Sequence, residues 1–298
     1  MAPNPKAAGV ATEGFIDVPG GRVWYVIEGA GAPGTPLLCL HGGPGFPHDY
    51  LEPLADLADD RPVIFYDQLG CGRSAGPDDP GLWTLDRAVQ EVAAVRAALG
   101  LDEPHLFGNS WGGWLAMEYL VRGAPPPRTV IISSAPASVQ EWIEDAAGLR
   151  AGLPAGLQAV LERHEEHGWL SCPEYLAVVA VYYQRHVCRV APWPACVERA
   201  FAAMNAGIYG AMWGASEFGP VTGVLRDWDV RGRLGAITVP ALVTAGRHDE
   251  ARPARMRAVA DEIPHAELAI FENSSHLAFV EERAAYMARL RAFLRAHD

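Results

Sequence analysis

The residues that could do chemistry begin with Ser110, in the stretch Gly108-Asn109-Ser110-Trp111-Gly112-Gly113. The G-x-S-x-G spacing matters because a serine on a tight strand-to-helix turn is forced into a strained backbone conformation, and small residues at Gly108 and Gly112 keep strand and helix apart. Its hydroxyl then stands at the carboxyl end of a sheet. A hydroxyl is a weak nucleophile at neutral pH, so it needs a histidine to take its proton and a carboxylate to hold that histidine in the right tautomer. Without those partners the stretch reads as an ordinary Gly/Ser turn. In the α/β arrangement that uses such a turn, the partners follow in the order Ser, Asp, His. Asp249 comes just after the apolar run 240–246, and His276 just after 267–271, so both are expected at the sheet edge that carries Ser110. His248 is a rival base, but as the immediate neighbour of Asp249 it is poorly placed to donate to that carboxylate and reach the serine. Asp227 and Asp229 are rival acids that precede the strand. The expected triad is Ser110, Asp249 and His276.

Acyl transfer also needs donors for the oxyanion. The run 36–40 ends in His41-Gly42-Gly43-Pro44-Gly45, and a Gly-rich loop leaving a central strand can turn backbone N–H groups toward a point above the sheet. A mere turn is the alternative. The expected donors are the N–H of Gly43 and that of Trp111, the residue after the nucleophile. A serine at position 110 also excludes hydrolase chemistries that use an aspartate nucleophile there.

The elements that must hold these residues can be read from periodicity. Residues 14–18 and 22–28 alternate around the turn Pro19-Gly20-Gly21, as a β-hairpin does. The runs 36–40, 63–66, 105–107, 128–133, 240–246 and 267–271 are continuously apolar or β-branched, which suits strands buried on both faces. Between them lie a helix-like segment at 50–57, a helix started by Thr84 and stopped by Gly100, the helix from Trp111, and a terminal helix carrying Val280, Met287, Leu290 and Leu294. The loop Asp67–Ser74 reads as scaffold, with Asp67 bonding nearby backbone N–H groups. From 135 to 235 helical patterns dominate at 139–149, 157–167, 174–188 and 196–204. These patterns predict an α/β-hydrolase fold, with a mostly parallel sheet and helices on both faces. Residues 1–134 and 236–298 form its core, and residues 135–235 an inserted helical cap. Trp142, Trp169, Trp193, Trp213 and Trp228 all fall in that cap, where they can line a pocket or fill its core. His164 and His167 stand three apart, not four as in a zincin helix, and read as a solvated helix face.

Composition bounds the partners. The chain has 298 residues, half of them apolar, with 36 acidic and 24 basic side chains and a formal charge of −12. That is enough apolar material for a large core, and the charge argues against nucleic acid or an anionic membrane as partner. The N-terminus, 1–14, lacks a signal-peptide core and no stretch is long and apolar enough for a membrane span, so a soluble cytoplasmic protein is expected. Five cysteines (Cys39, Cys71, Cys172, Cys188, Cys196) with no C-x-x-C pair suggest reduced thiols, neither a disulfide framework nor a zinc site. No metal or organic cofactor is implied.

Three stretches carry a family resemblance: His41–Gly45, Phe65-Tyr66-Asp67-Gln68-Leu69-Gly70-Cys71-Gly72-Arg73-Ser74, and the serine turn. With them the chain resembles the proline iminopeptidases of the α/β-hydrolase fold. It is most similar to the short branch typified by the tricorn-interacting aminopeptidase, with His48-Asp49-Tyr50-Leu51, Pro173-Glu174-Tyr175, Glu217-Phe218 and Asp227-Trp228-Asp229 also in keeping. The likeness runs over nearly the whole chain. It implies release of an N-terminal residue from short peptides, and a reader for the free ammonium group. By resemblance that reader is Glu217, in the cap's Glu-Phe pair, with Glu250, directly after the triad aspartate. Charge-assisted bonds from such carboxylates contribute roughly 1.5–3 kcal/mol each; solvated glutamates are the plainer alternative. Asn109 and Trp111 depart from the resemblance, standing where relatives often carry Ser or Gly and Tyr. A narrower pocket at Trp111 would put the preference for proline in question. Three other activities remain open to the same residues. An amidase or esterase for α-amino acid amides or esters would use the same ammonium reader. A general carboxylesterase or thioesterase would tolerate a blocked amine, and a carrier would keep the pocket without turnover.

Overall fold

The computed structural model describes residues 11–298 apart from Ala75, Asp78 and Gly219. The first ten residues, part of the stretch 1–14 considered above, lie outside the described residues. Eight strands form one sheet in the order β1-β2-β4-β3-β5-β6-β7-β8. β1 (Thr12–Val18) and β2 (Gly21–Glu28) make an antiparallel hairpin whose second strand pairs antiparallel with β4 (Val63–Tyr66). The other strands run parallel: β3 (Leu37–Leu40), β5 (His105–Asn109), β6 (Thr129–Ser133), β7 (Ala241–Gly246) and β8 (Ala266–Phe271), with β4 parallel to β3.

The strands β3 to β7 are buried on both faces, and the period of two sorts their side chains between two cores; β8, expected to be buried likewise, lies at the sheet edge, is mostly half-buried and leaves Glu267 exposed. Leu38, Leu40, Ile64, Leu106, Val130, Ile132 and Val243 face one core, where α1 (Leu85–Ala98), α2 (Trp111–Val121) and α8 (Pro253–Glu262) pack. Leu37, Cys39, Phe65, Phe107, Ile131 and Leu242 face the other, against the segment 48–57 and the C-terminal helix. Thr84 caps α1 by accepting the Arg87 N–H at 3.2 Å.

Two expectations need correction. The segment His48–Leu57 winds as a 3-10 helix, with Pro53, which has no N–H to donate, inside it. The terminal helix breaks in two, α9 (Ala278–Glu281) and α10 (Arg283–Arg295), at Glu282, whose φ of −113° and ψ of 46° leave the helical range. The loop before it claims both carboxylates at the break. Glu281 accepts from the N–H and hydroxyl of Ser275 at 2.9 and 2.6 Å, and Glu282 from the Asn273 N–H and Ser274 hydroxyl at 2.9 and 2.6 Å.

Among the described residues five helices lie between β6 and β7: α3 (Val139–Ala151), α4 (Ala155–Glu166), α5 (Pro173–His186), α6 (Ala195–Ala202) and α7 (Ala206–Met212). The last escapes a periodicity reading because it is short and holds Gly207 and Gly210; Asn205 starts it by accepting the N–H groups of Gly207 and Ile208. The end of α5 is bonded to the core. The carbonyls of His186 and Val187 accept the N–H groups of His276 and Leu277 at 3.2 and 3.1 Å, and the His186 ring lies 2.9 Å from the His248 carbonyl. No helix among the described residues is long and apolar enough to cross a membrane.

Candidate active site

Ser110 sits between β5 and α2 with φ 57° and ψ −125°, a conformation that non-glycine residues rarely hold. Two things enforce it. The Ser110 N–H is tied to the Ser133 carbonyl of β6 at 2.9 Å, and its own carbonyl accepts from Gly113 and Trp114 in the first turn of α2 at 2.8 and 3.1 Å. The helix also comes so close to β3 that a Cβ on Gly112 would lie 2.1 Å from the Leu40 carbonyl oxygen. The hydroxyl is left at the helix N-terminus, where the partial positive charge favours a developing anion.

Asp249 follows β7 and is 1% exposed. Its Oδ1 accepts the Ala251 N–H at 2.8 Å and lies 2.9 Å from Nδ1 of His276. The carboxylate therefore accepts a hydrogen bond from Nδ1–H and leaves Nε2 with its lone pair. The backbone of His276 is held as well: its carbonyl accepts from the Ser134 hydroxyl at 3.2 Å, and Ser134 is the second non-glycine residue at positive φ, 56°. Ser110 and His276 line one cavity of about 360 Å³, and the Trp142 ring stands edge-on to the imidazole at 5.6 Å. No hydrogen bond joins the Ser110 hydroxyl to His276 among the described residues; such bonds commonly tighten only when substrate is bound.

The rivals lie elsewhere. His248 gives its carbonyl to His186 and its N–H to the Ser274 carbonyl, and it does not line the cavity. Asp227 pairs with Arg226 and Asp229 with Arg231 at the surface.

The glycine loop borders the same cavity. Gly43 has φ 115°, and neither its N–H nor that of Trp111 has a partner among the described residues. The neighbouring Gly42 N–H is taken by the Tyr50 hydroxyl at 2.5 Å; Tyr50 donates to Asn109 Oδ1 at 3.0 Å, and the Asn109 amide reaches the Ser133 carbonyl at 3.3 Å. One relay thus joins the loop to the residue before Ser110. On its other side His41 is fully buried and neutral, burial pushing its pKa down to about 4. Its Nε2 accepts the Gln68 N–H at 2.8 Å, and Gln68 Oε1 accepts the Trp111 indole N–H at 2.8 Å. With 2% of its surface exposed, Trp111 contributes little area to the cavity it borders. Asp67 bonds the N–H groups of His48 and Arg73, both at 2.8 Å.

Glu217 and Glu250 line the same cavity. Glu217 accepts the Trp142 indole N–H at 3.0 Å on one oxygen and the Tyr209 hydroxyl at 2.9 Å on the other. Glu250 is 5% exposed, with Oε1 3.9 Å from Nδ1 of His276 and Oε2 without a partner. Burial raises the pKa of both, and the charges of Glu217 and then Asp249 push Glu250 up further. Tyr182, Tyr183 and Tyr209 are pushed up by burial and by the same two glutamates. Among the described residues no Lys or Arg lines this cavity. A carboxylate pair so poorly compensated can attract a cation. Trp114, Trp142 and Trp213 wall it, with ring centroids 5.7 and 6.0 Å from that of Trp114.

Sequence reasoning missed Tyr50, Trp114 and Tyr209 in the cavity wall and the bond from Trp142 to Glu217. Tyr209 is on the unanticipated α7, and Trp114 carried a signal, four residues past the serine on the same helix. Of the two histidines in α4 and at its end, one meets the expectation of a solvated face and one does not. His167 is solvated and stacks on Trp169, but His164 is 4% exposed, its Nδ1 2.8 Å from the Val160 carbonyl and its ring against Trp169 and Tyr175.

Residues 35–283 match the family described as alpha/beta hydrolase fold. The chain is 42% identical over 284 residues to a proline iminopeptidase of Heyndrickxia coagulans, covering 95% of this chain and 98% of the relative. It is 39% identical to the crystal structure of proline iminopeptidase from Mycobacterium smegmatis, with a TM-score of 0.88 over 96% of this chain and 98% of that one. The crystal structure of VinJ is 35% identical with a TM-score of 0.92, over 96% and 99%.

Proposed function

The chain belongs to the proline iminopeptidase family of α/β hydrolases, and on that premise we propose that it is a serine aminopeptidase releasing N-terminal proline from short peptides through an acyl-enzyme on Ser110. The observation that carries this reading is the pair of buried carboxylates, Glu217 and Glu250, in the cavity that also holds Ser110 and His276. The secondary ammonium of an N-terminal proline has two N–H bonds, one for each carboxylate. Its ring is apolar and suits the wall of Trp114, Trp142 and Trp213.

Seated this way, the carbonyl carbon meets the Ser110 hydroxyl. His276 Nε2 takes the hydroxyl proton as Oγ bonds to carbon, and the oxyanion takes the free N–H groups of Gly43 and Trp111; one such donor contributes roughly 3 kcal/mol to the transition state. Asp249 stabilises the imidazolium, which then gives its proton to the departing amine nitrogen as the C–N bond breaks. The shortened peptide leaves and prolyl-Ser110 remains. Water, deprotonated by His276, attacks the ester, and Oγ leaves with the proton. The products are proline and a peptide one residue shorter.

The finer placement, with the tricorn-interacting branch, rests on Pro173-Glu174-Tyr175, Glu217-Phe218 and Asp227-Trp228-Asp229. Residues 135–235 are assigned as a cap on the strength of the five helices inserted between β6 and β7. A cytoplasmic setting is part of the proposal, supported by five cysteines that are all free thiols.

Paired arylamides test the reading: proline and alanine arylamides, amine free or acetylated, with wild type and Ser110→Ala. Serine-dependent cleavage of the free-amine members alone is the expected result, fastest for proline. Equal cleavage of acetylated and free substrates would make the protein a general amidase or esterase and leave the glutamates without a role.

A further inference from the structure

We infer that the site accepts a neutral, apolar leaving group, so that a proline dipeptide with a free C-terminal carboxylate is a poor substrate beside the same dipeptide as its amide. The inference rests on the reading of Glu217 and Glu250 as the ammonium seat. Once the first residue fills that seat, the wall left for the departing amine is apolar: Phe46, Leu176, Val179, Val187, Phe201 and Met204. Part of it is prepacked, with Phe46 edge-on to Phe201 at 4.8 Å and Tyr183 against Phe201 at 5.6 Å. The ionisable groups that border the cavity are the two glutamates, His276 and tyrosines; no Lys or Arg does among the described residues. Arg150, whose guanidinium lies over the Phe218 ring, is already held by both oxygens of Glu165 at 2.8 and 2.9 Å.

The leaving residue of a dipeptide carries its carboxylate only a few bonds from the scissile nitrogen. Cleavage would bring that anion out of water into the cavity that holds two carboxylates and is lined by no Lys or Arg among the described residues, so it would be desolvated without a partner. An amide, or the next peptide bond of a longer chain, is neutral at the same place. An apolar side chain on that residue gains area against Phe46, Phe201 and Met204.

The test compares Pro-Leu-amide, Pro-Leu and acetyl-Pro-Leu-amide by release of the first residue. The amide is expected to exceed the free acid in kcat/KM by about tenfold or more, or about 1.4 kcal/mol. A Leu176→Arg variant, at a rim position that is 50% exposed, should raise the free acid relative to the amide by supplying the missing cation. Equal kcat/KM for amide and free acid in the wild type would overturn the inference while leaving the aminopeptidase reading in place. Cleavage of the acetylated amide as fast as the free one would overturn that reading, and the inference with it.

Discussion

Replacing Glu217 by glutamine removes a charge from the proposed ammonium seat while sparing its surroundings. The carboxylate takes two hydrogen bonds from the protein, from Trp142 at 3.0 Å and Tyr209 at 2.9 Å. A glutamine amide still offers an oxygen to the indole N–H, and its NH2 can donate to the Tyr209 oxygen once that hydroxyl turns, so the wall stays intact. What is lost is one charge-assisted bond to the substrate ammonium, roughly 1.5–3 kcal/mol, or about 10- to 150-fold in kcat/KM. The ammonium is present in ground state and transition state alike, so the loss should fall on KM more than on kcat. A second signature follows from the coupling. Burial and then the Glu217 charge hold the Glu250 pKa above its ordinary value. Without Glu217 the remaining glutamate ionises at lower pH, and the acid limb of kcat/KM should move to lower pH. Steady-state kinetics on proline arylamide across pH measure both effects. Unchanged kinetics on free-amine substrates would refute the reasoning, and so would an equal loss on acetylated ones.

Ser110→Ala should abolish turnover and labelling by a fluorophosphonate while circular dichroism stays that of the wild type; retained labelling would move the nucleophile elsewhere. Tyr50→Phe unties the Gly42 N–H and Asn109, so kcat should fall about tenfold, less than loss of an oxyanion donor outright, with KM little changed; a pure KM effect would place Tyr50 in substrate binding instead. Glu250→Gln should raise Tm at neutral pH while lowering activity. Folding raises the Glu250 pKa, so the folded protein holds that proton to higher pH than the unfolded chain, and stability falls as pH rises from the ordinary carboxylate range through the raised value. Each 1 kcal/mol recovered should appear as about 2–4 °C in calorimetry, and a lower Tm would contradict the account. Gly112→Ala, with its new Cβ 2.1 Å from the Leu40 carbonyl oxygen, should destabilise by about 1–3 kcal/mol or more in urea unfolding.

Much of this architecture was legible because burial on both faces leaves a plain mark. The runs that became β3, β4, β6 and β7 are apolar or β-branched at successive positions, and the sheet uses that by sending Leu38 and Leu40 to one core and Leu37 and Cys39 to the other. The loops after β7 and β8 could be aligned with Ser110 from strand ends alone, and the structure brings Ser110, His276, Gly43, Trp111, Glu217 and Glu250 to one cavity. What stayed hidden was set by contacts between distant residues. Tyr50 and Asn109 are 59 positions apart, and nothing in either segment says that one hydroxyl will join them. The break at Glu282 coincides with bonds to its carboxylate from Asn273 and Ser274 upstream, whereas the apolar period from Val280 to Leu294 runs straight through it. His164 looked solvated because its neighbours are charged; Trp169 and Tyr175, further along the chain, cover it.

The bonds from the end of α5 to the His276 loop limit how far the parts of this enzyme can be exchanged. Because the carbonyls of His186 and Val187 accept the N–H groups of His276 and Leu277, the inserted helices carry part of the scaffold of the proposed general base. A chimera that took its helical insert from a relative to change selectivity would also inherit a new seat for that histidine. Such grafts should fail in turnover before they fail in folding, unless the 186–187 and 274–277 segments travel together. The same bonds oppose a wholesale swing of the insert away from that loop.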